Sequence, residues 1–265
     1  MKITKKLFWK SFLLSFAISI VVASIIITSL YIDKTSVNPT GEESTILLGV
    51  TSNDKLIALT VVNCNPSNNR IQFLQIPDNT LLSDGKVLQD LFDNNIHLLK
   101  QNIEKLIGCK IDRYAFFDMN AISTLNNEIG RFEFLIPYKF VYNDHEHSGQ
   151  SYMSGELAVA MFTYSGYDGK KVSYAQIGYS YLTSFLAKHA TPSSFDRLSE
   201  VLISLNDDIK SNFSNKEIIE YCKFISKYSS MYQNTLSIKG ITQETSSKVY
   251  FTPEQYNSDH NIFNK

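Results

Sequence analysis

The chain has 265 residues, of which 43% are hydrophobic and 19% charged, and its formal net charge is −1. This length and composition suit one sizeable folded domain with an appendage, and they exclude a disordered or fibrous chain. Three widely spaced cysteines, with no CxxC pair and no histidine at ligand spacing, indicate small buried side chains rather than a disulfide framework or a zinc site.

The appendage is predicted at the amino terminus. Residues 11–32 form an uncharged apolar run, long enough as a helix to cross a hydrocarbon layer about 30 Å thick. Residues 1–10 contain four lysines, so the positive-inside rule predicts a single-pass plasma-membrane anchor with a cytoplasmic amino terminus and an external carboxyl-terminal part. A cleaved signal peptide is the alternative, but the apolar run is longer than the usual signal core.

The external part is predicted to be acidic. Without the four amino-terminal lysines, the chain keeps 21 basic residues against 26 acidic ones, a charge of about −5. Nucleic acid as a partner is therefore not expected, because its binding calls for a basic face. Residues 33–44 are polar and aperiodic, which predicts a short tether between the membrane and the folded domain.

Three strands are predicted directly after the tether. Apolar, β-branched runs occupy residues 45–50, 56–62 and 70–76, and the Asn-Pro-Ser-Asn-Asn segment before the third run is typical of a hairpin turn. Helical periodicity then predicts a helix over residues 97–107, which Gly108 ends.

Strands and helices alternate in the next segment. A strand is predicted at residues 112–117, a helix at 119–128 with Asp118 as its cap, and another strand at 132–136. This alternation favours a mixed sheet that helices cover on both faces.

The second half is predicted to be mainly helical. Ser154 is positioned to cap one helix, and Ser214-x-x-Glu217 forms a capping box for another. Apolar periodicity predicts helices over residues 155–164, 174–188, 195–205 and 215–228, followed by closing strands at 233–239 and 248–252.

Several segments, in this order, resemble the LytR-CpsA-Psr family of cell-envelope proteins. After the N-terminal anchor they are ILLGVTSNDKLIALTVVNCNP, RIQFLQIPDNT, LLKQNIEKLIGCKIDRYAFFD and MSGELAVAMFTYS. The resemblance covers residues 45–252, leaves 253–265 as a tail, and implies a three-layer α/β/α sandwich around a mixed sheet outside the membrane. Active members of the family transfer a glycopolymer from polyprenyl pyrophosphate to peptidoglycan. Their lipid lies in an apolar channel, while arginines, acidic residues and Mg²⁺ hold the pyrophosphate.

The sequence departs from the family pattern where the resemblance places the pyrophosphate. Thr51 and Ile57 stand at positions of acidic residues, and Asp78 stands where an arginine is expected. Other expected arginines fall on Thr163, Ser165, Tyr174 and Ile177, and expected glutamines on Gly178 and Tyr179. Only Lys86 matches a family residue that reaches the phosphates.

Arginine is also scarce in the chain as a whole. The four arginines are Arg70, Arg113, Arg131 and Arg197, all outside the expected site elements, and surface positions are predicted for Arg113 and Arg197. A carboxylate at Asp78 would repel a phosphate by about 1 kcal/mol at roughly 4 Å, even in a water-like dielectric. We therefore expect a catalytically degenerate member with no catalytic residues and no cofactor.

Other chemistry has weaker support in the sequence. Asp144-His145-Glu146-His147 is a dense cluster in a predicted loop, but an extended backbone would direct the two histidines to opposite sides, so a metal site is not predicted. Asp168-Gly169-Lys170-Lys171 is typical of a turn, and no GxSxG motif is present.

The predicted function is therefore binding. The ligand-pocket candidates are Lys86, Asp78, Thr163, Ser165, Tyr164 and Tyr174. The expected ligand is a polyprenyl lipid precursor or an envelope protein. The alternatives are an active phosphotransferase that uses Lys86 and Mg²⁺, and a purely structural module.

Overall fold

The computed structural model describes residues 43–92, 95–167, 173–206, 209–244, 249–254 and 261–264. The predicted anchor at residues 11–32 and the tether as far as residue 42 lie outside the described residues. Within the described part of the chain, no helix is both long and apolar enough to cross a membrane.

Ten strands and six α-helices make up the described structure. The strands are β1 (Ser44–Ser52), β2 (Lys55–Asn65), β3 (Arg70–Ile76), β4 (Arg113–Phe117), β5 (Phe132–Tyr142), β6 (His145–Met153), β7 (Lys210–Ser211), β8 (Tyr232–Ser237), β9 (Gly240–Glu244) and β10 (Val249–Pro253). The helices are α1 (Ile96–Ile107), α2 (Met119–Ile129), α3 (Gly155–Thr163), α4 (Tyr174–His189), α5 (Phe195–Ser204) and α6 (Asn215–Ile225).

A mixed sheet of six strands forms the centre of the domain, in the order β7-β4-β1-β2-β3-β8. The three predicted strands at its middle are confirmed, and β1, β2 and β3 are antiparallel neighbours. Strands β4 and β8 run parallel to β1 and β3. Polar turns join the antiparallel strands, and Asn53, Asp54 and Asn69 have the positive φ angles that such turns require, at 50°, 59° and 48°.

Helices cover both faces of the sheet, which confirms the three-layer architecture. On one face, the apolar side of α1, including Leu99 and Ile103, packs on Leu47, Leu59 and Leu74. On the other face, α2, α4, α5 and α6 contribute to two further apolar clusters. Burial of each large aliphatic side chain in these layers stabilises the fold by about 1.5–3 kcal/mol.

The predicted helix starts are confirmed by their caps. The Asp118 carboxylate accepts a hydrogen bond from the backbone N–H of Ala121 at 2.8 Å, and Ser154 caps α3 through the N–H of Leu157 at 3.3 Å. Ser214 and Glu217 form the reciprocal capping box of α6. These bonds satisfy N–H groups that the first helical turn leaves without intrahelical partners.

The region after α2 differs from the prediction. The Asp144–His147 segment is not a loop, because β5 extends to Tyr142 and β6 starts at His145. Asn143 and Asp144, with φ angles of 50° and 61°, form a two-residue turn between them. Strands β5 and β6 form a separate two-stranded sheet, so β5 does not extend the central sheet.

The carboxyl-terminal elements also differ in detail. Helix α6 ends at Ile225, before the predicted position 228, and a short 3₁₀ turn occupies Tyr228–Ser230. Of the closing strands, β8 joins the central sheet, whereas β10 pairs with β9 in a second small sheet.

Candidate ligand-binding site

An apolar cavity of about 210 Å³ lies between the central sheet and the helices on one of its faces. Strands β1 to β4 supply its floor, and α2, α4, α5 and α6 supply its other walls. The lining side chains include Leu48, Val50, Val62, Ile71, Phe117, Ile122, Leu125, Leu182, Phe185, Leu198, Leu202, Ile218 and Ile225.

The chemistry of this cavity is that of a hydrocarbon environment. None of the described residues that line it is charged. Burial raises the pKa of the Cys64 and Cys222 thiols, both in the wall, to about 12, so both remain neutral. The Tyr221 hydroxyl donates a hydrogen bond to the Ser44 hydroxyl at 2.9 Å and is therefore satisfied within the protein.

Strand register places the positions of the expected pyrophosphate site at one end of the sheet. Val50, near the carboxyl end of β1, pairs with Ala58 of β2 and with Phe117 at the end of β4. Leu59 of β2 pairs with Ile76, which immediately precedes the loop that carries Asp78. We call the end of the sheet at which β1, β3 and β4 finish the carboxyl end of the sheet. It carries Thr51, Ile57 and Asp78.

Apolar packing occupies the carboxyl end where the resemblance implies charged side chains. Ile177 is fully buried, Thr51 is only 7% exposed, and Ile57 packs against the main apolar cluster. Gly178 lies directly against Ala58, with no room between them for a side chain. Helix α4 is therefore seated directly on β2 at this point.

Asp78 is half-buried in the loop after β3. Burial raises the pKa of its carboxyl to about 6, although hydrogen bonds with the backbones of Asp78 and Asn79 oppose this shift. The loop is fixed by the bond from the Gln89 N–H to the Asp78 carbonyl at 3.0 Å, and by the Thr80 hydroxyl, which donates to the Pro77 carbonyl at 2.6 Å. The surroundings of Asp78 therefore disfavour the ionised form of its carboxyl group.

Lys86 does not reach the cavity. It lies in a tight turn closed by the Leu82 N–H, which donates to the Lys86 carbonyl at 2.8 Å. Its ammonium is 3.6 Å from the carboxylate of Asp84, and its side chain is 59% exposed. Lys86 is thus a surface residue in an ion pair with Asp84.

The candidates at the end of α3 lie elsewhere, on a separate depression of the surface. Thr163, Tyr164 and Ser165 line it together with Tyr142 and Glu156. The Thr163 hydroxyl donates to the Val159 carbonyl at 2.8 Å.

Aromatic packing connects this depression to the start of α4. The rings of Tyr164 and Tyr167 have centroids 5.0 Å apart, and Tyr174 lies 5.9 Å from Tyr167. The sequence candidates are therefore not brought together in one pocket, and the tyrosines serve mainly as packing.

The four arginines do not converge on an anion site. Arg113 begins β4 beside Ile46, at the end of the sheet opposite Val50. Its Nε donates to Glu217 at 2.8 Å, with only 15% of its side chain exposed, so the predicted surface position of Arg113 is wrong. Arg197 is on the surface as predicted, 54% exposed and 2.7 Å from Glu128.

The other two arginines are also away from the carboxyl end of the sheet. Arg70 pairs with Asn65 at the opposite end of β3, and Arg131 is exposed ahead of β5. Lysine is present near the carboxyl end, but the Lys210 ammonium is 3.3 Å from Asp54 and lies over the Phe92 ring. Residues 168–172, which include the predicted Asp168–Lys171 turn, lie outside the described residues.

The residues at the carboxyl end do not fit Mg²⁺. Thr51 and Ile57 replace the two implied acids, and Ile57 has no donor atom for a metal that requires oxygen ligands. Among the described residues, no three His, Cys, Asp or Glu side chains form a group that could hold a metal ion. In the β5–β6 hairpin, the His147 ring stacks on Phe140, with centroids 5.3 Å apart.

Sequence reasoning missed most of the cavity wall. Its residues come from the first strands and from α5 and α6, whereas the candidates were taken from motif positions. One signal was available in the sequence, namely the apolar stripes of α5 and α6.

Comparison with known structures supports the family resemblance at the level of fold. The structure is similar to that of Bacillus subtilis TagV, with a TM-score of 0.68, 18% identity, and coverage of 80% of this chain and 91% of that one. It is also similar to TagT bound to LI-WTA, at TM-score 0.63 and 16% identity over 83% and 88% of the two chains. B. subtilis TagU gives a TM-score of 0.56 and 13% identity over 81% and 91%.

These three proteins belong to the LytR-CpsA-Psr family, and the chain has the fold of that family. No protein-family model matches the sequence, and no curated protein matches it.

Proposed function

We propose that this chain is a membrane-anchored, extracytoplasmic protein of cell-envelope biogenesis that binds a polyprenyl-linked precursor without transferring its glycan. The observation that carries the proposal is the uncharged cavity between the sheet and its helices. Apolar, concave sites of this kind are the usual form of binding site for apolar ligands. The LytR-CpsA-Psr fold supports a role in the cell envelope.

The ion pairs of several cationic side chains support binding without transfer. The leaving diphosphate of a polyprenyl carrier needs fixed cations and aligned donors as negative charge develops. Here Arg113 is bound to Glu217, Arg197 to Glu128 and Lys86 to Asp84. At the carboxyl end of the sheet, Ile177 provides packing where the resemblance implies an arginine, and Gly178 provides packing where it implies a glutamine.

The proposed location follows from the sequence on the amino-terminal side of the domain. The apolar run at residues 11–32 is proposed to anchor the chain, and only a short polar stretch separates it from β1.

Lipid content is the direct test of this function. The full-length chain, produced in a Gram-positive host and purified in a mild detergent, is expected to retain polyprenyl lipid that mass spectrometry detects after extraction. Leu182→Trp, in the cavity wall, should reduce this lipid at least fivefold. Leu135→Trp, on a surface position that is 68% exposed, is the matched control and should retain it.

Turnover is the second readout of the same preparation. Incubation with a polyprenyl-diphosphate-linked glycan, a peptidoglycan acceptor and Mg²⁺ is expected to give no transfer product. Product formation would establish the transferase alternative, and lipid content equal to that of an unrelated single-pass protein would contradict the binding function.

A further inference from the structure

Helix α6 lies across the amino end of the central sheet, where β1, β3, β4 and β8 begin. Near the start of α6, Glu217 accepts a hydrogen bond from the Nε of Arg113, the first residue of β4, at 2.8 Å. In the middle of α6, the Tyr221 hydroxyl donates to the hydroxyl of Ser44, the first residue of β1, at 2.9 Å. Beyond the end of α6, the Tyr228 ring makes an edge contact with a phenylalanine of β3. The helix therefore passes β4, β1 and β3 in that order.

Lysine side chains follow the outer face of α6. Four exposed residues, three or four positions apart, form what we call the outer stripe of α6: Lys216, Ile219, Lys223 and, just past the helix end, Lys227. That spacing puts the first three on one side of the helix, and the fourth continues the row.

The acidic residues of α6 do not belong to the outer stripe. Glu217 is buried and bound to Arg113, and Glu220 is half-buried. Within the part of the chain that the structure describes, no carboxylate forms an ion pair with Lys223 or Lys227. These two ammonium groups are therefore available to an external anion.

The charge of the outer stripe is opposite to that of the chain around it. Without the four lysines of residues 1–10, the chain has 21 basic and 26 acidic residues. An anionic surface would therefore attract the domain on the side of the outer stripe and repel it elsewhere, which fixes one orientation. Tyr232, 65% exposed where β8 begins, is an aromatic residue of the kind that is enriched at membrane–water interfaces.

The chain enters the domain beside α6. Ser44 is bonded to Tyr221 of α6, and only the ten residues 33–42 separate the described domain from the apolar run at residues 11–32. A flexible chain of ten residues has an end-to-end distance of roughly 17–19 Å. Strand β1, with nine residues, is about 30 Å long. A tether of this length would keep the amino end of the sheet nearer to a bilayer than the carboxyl end.

We propose that the outer stripe of α6 docks the domain on a bilayer surface that contains anionic phospholipid. The lysines contact the phosphate groups of the lipid headgroups, and Ile219 and Tyr232 reach into the headgroup layer. This inference rests on the proposed membrane anchor and adds an orientation to it, in which the amino end of the sheet faces the bilayer.

Quenching of tryptophan by brominated lipid tests the docking. The full-length chain, with its single tryptophan removed by Trp9→Phe, is reconstituted in vesicles of phosphatidylcholine and phosphatidylglycerol. Ile219→Trp then reports on the outer stripe, and Val141→Trp, at a position equally exposed at 45%, is the matched control. Val141 lies in β5 beyond Tyr138, which contacts the start of α4 near the carboxyl end of the sheet. Lipid brominated next to the headgroup is expected to quench the tryptophan at position 219 at least threefold more than that at position 141.

Charge variants test whether the lysines cause the docking. Lys223→Gln combined with Lys227→Gln should lower the quenching at position 219 at least twofold, because each lysine near an anionic surface adds to the attraction. Vesicles of phosphatidylcholine alone should give the same loss. Lys55→Gln combined with Lys86→Gln removes two exposed lysines at the carboxyl end and should leave the quenching unchanged. Equal urea unfolding midpoints establish that the variants are folded.

The possible failures are distinguishable. Equal quenching at positions 219 and 141, or quenching at position 219 that neither lysine pair changes, overturns the docking and leaves the anchor in place if the chain still floats with the vesicles. A chain that does not float with them contradicts both. Soluble polyphosphate that alters the emission at position 219, without quenching by the bilayer, would assign the outer stripe to a dissolved polyanion and also overturn the docking.

Discussion

Gly178 of α4 and Ala58 of β2 approach so closely that a Cβ built on Gly178 would lie 2.6 Å from the Cβ of Ala58. Two real Cβ atoms do not meet at that distance, so the glycine sets how near the helix lies to the sheet. This contact is at the carboxyl end of the sheet, where the family resemblance implies a glutamine on the helix. The absence of a side chain there is thus a packing requirement of this chain.

Gly178→Ala is expected to destabilise the fold by about 1–3 kcal/mol, because the overpacking cost exceeds the helix-propensity gain of about 1 kcal/mol. Ala58→Gly in the same chain restores the space, so the double variant should be more stable than the sum of the single effects predicts. Urea unfolding of the four proteins measures this coupling. Additive changes in the free energy of unfolding would show that α4 can move away from β2 at this point without loss of stability.

Asp78→Asn is expected to stabilise the protein at neutral pH. The pKa of Asp78 is raised to about 6 from an ordinary 3.8, so ionisation favours the unfolded chain. The stability that the protonated Asp78 carboxyl contributes is therefore fully present below pH 3.8. It is lost as the pH rises toward 6, and the free energy of unfolding does not change further with this group above that pH. At about 1.4 kcal/mol per pKa unit the full shift corresponds to about 3 kcal/mol, and solvent screening of the half-buried carboxyl reduces this value. The asparagine should therefore add about 1–2 kcal/mol at pH 7.5 and nothing near pH 4.

The control for Asp78 is an exposed carboxylate in the next turn. Asp84→Asn breaks only the surface pair with Lys86 and should change stability by less than about 0.5 kcal/mol at either pH. Equal unfolding midpoints for wild type and Asp78→Asn at pH 7.5 would contradict the assigned burial of Asp78.

Arg113→Ala is expected to cost about 3 kcal/mol, because it leaves the carboxylate of Glu217 buried with one partner fewer. Glu217 is 4% exposed. Burial alone would raise the pKa of Glu217, but hydrogen bonds from Arg113 and Ser214 hold it below its usual range. Arg197→Ala is the matched control, since its pair with Glu128 is about half exposed, and it should cost less than about 1 kcal/mol. Similar losses in the two variants, measured by urea unfolding at pH 7, would refute the difference in burial.

Much of the fold could be predicted because local rules and the final structure agree. Asp118, Ser154 and Ser214 cap helices by bonds to residues only three positions away, so the sequence contains both partners. The β5–β6 hairpin was not predicted, because the polar composition of the segment after Asn143 is typical of a loop. The Asn-Asp pair was the available signal, since both residues tolerate a positive φ.

The candidate site was less predictable because it depends on contacts between distant segments. The burial of Arg113 results from Glu217, which is 104 residues away along the chain. Likewise, the wall of the cavity combines β1 with α6, and no spacing rule connects them. Sequence reasoning identified which charges were missing from the motif positions, whereas the structure was needed to find where the remaining arginines are held.

His189 is expected to make stability fall in mild acid. His189 is 5% exposed, and its ring lies between those of Phe132 and Phe185, with centroid distances of 5.9 and 4.9 Å. Burial, with a smaller contribution from the charge of Lys188, holds the pKa of His189 below its usual range, despite an opposing hydrogen bond with the Gly130 backbone. As the pH falls, His189 therefore takes up its proton at a higher pH in the unfolded chain than in the folded protein.

The lowered pKa of His189 makes the folded protein less stable as the pH falls. The neutral histidine gives its full stability above the unfolded pKa of about 6.5, and that stability is lost as pH falls toward the lower folded value. Between pH 7.5 and 5 the wild type should lose measurably more stability than His189→Gln, which cannot titrate. His97→Gln, at an exposed position of α1, should follow the wild type. If wild type and His189→Gln lose the same stability over this range, His189 is protonated in the folded protein and its neutral burial between the two phenylalanines is wrong.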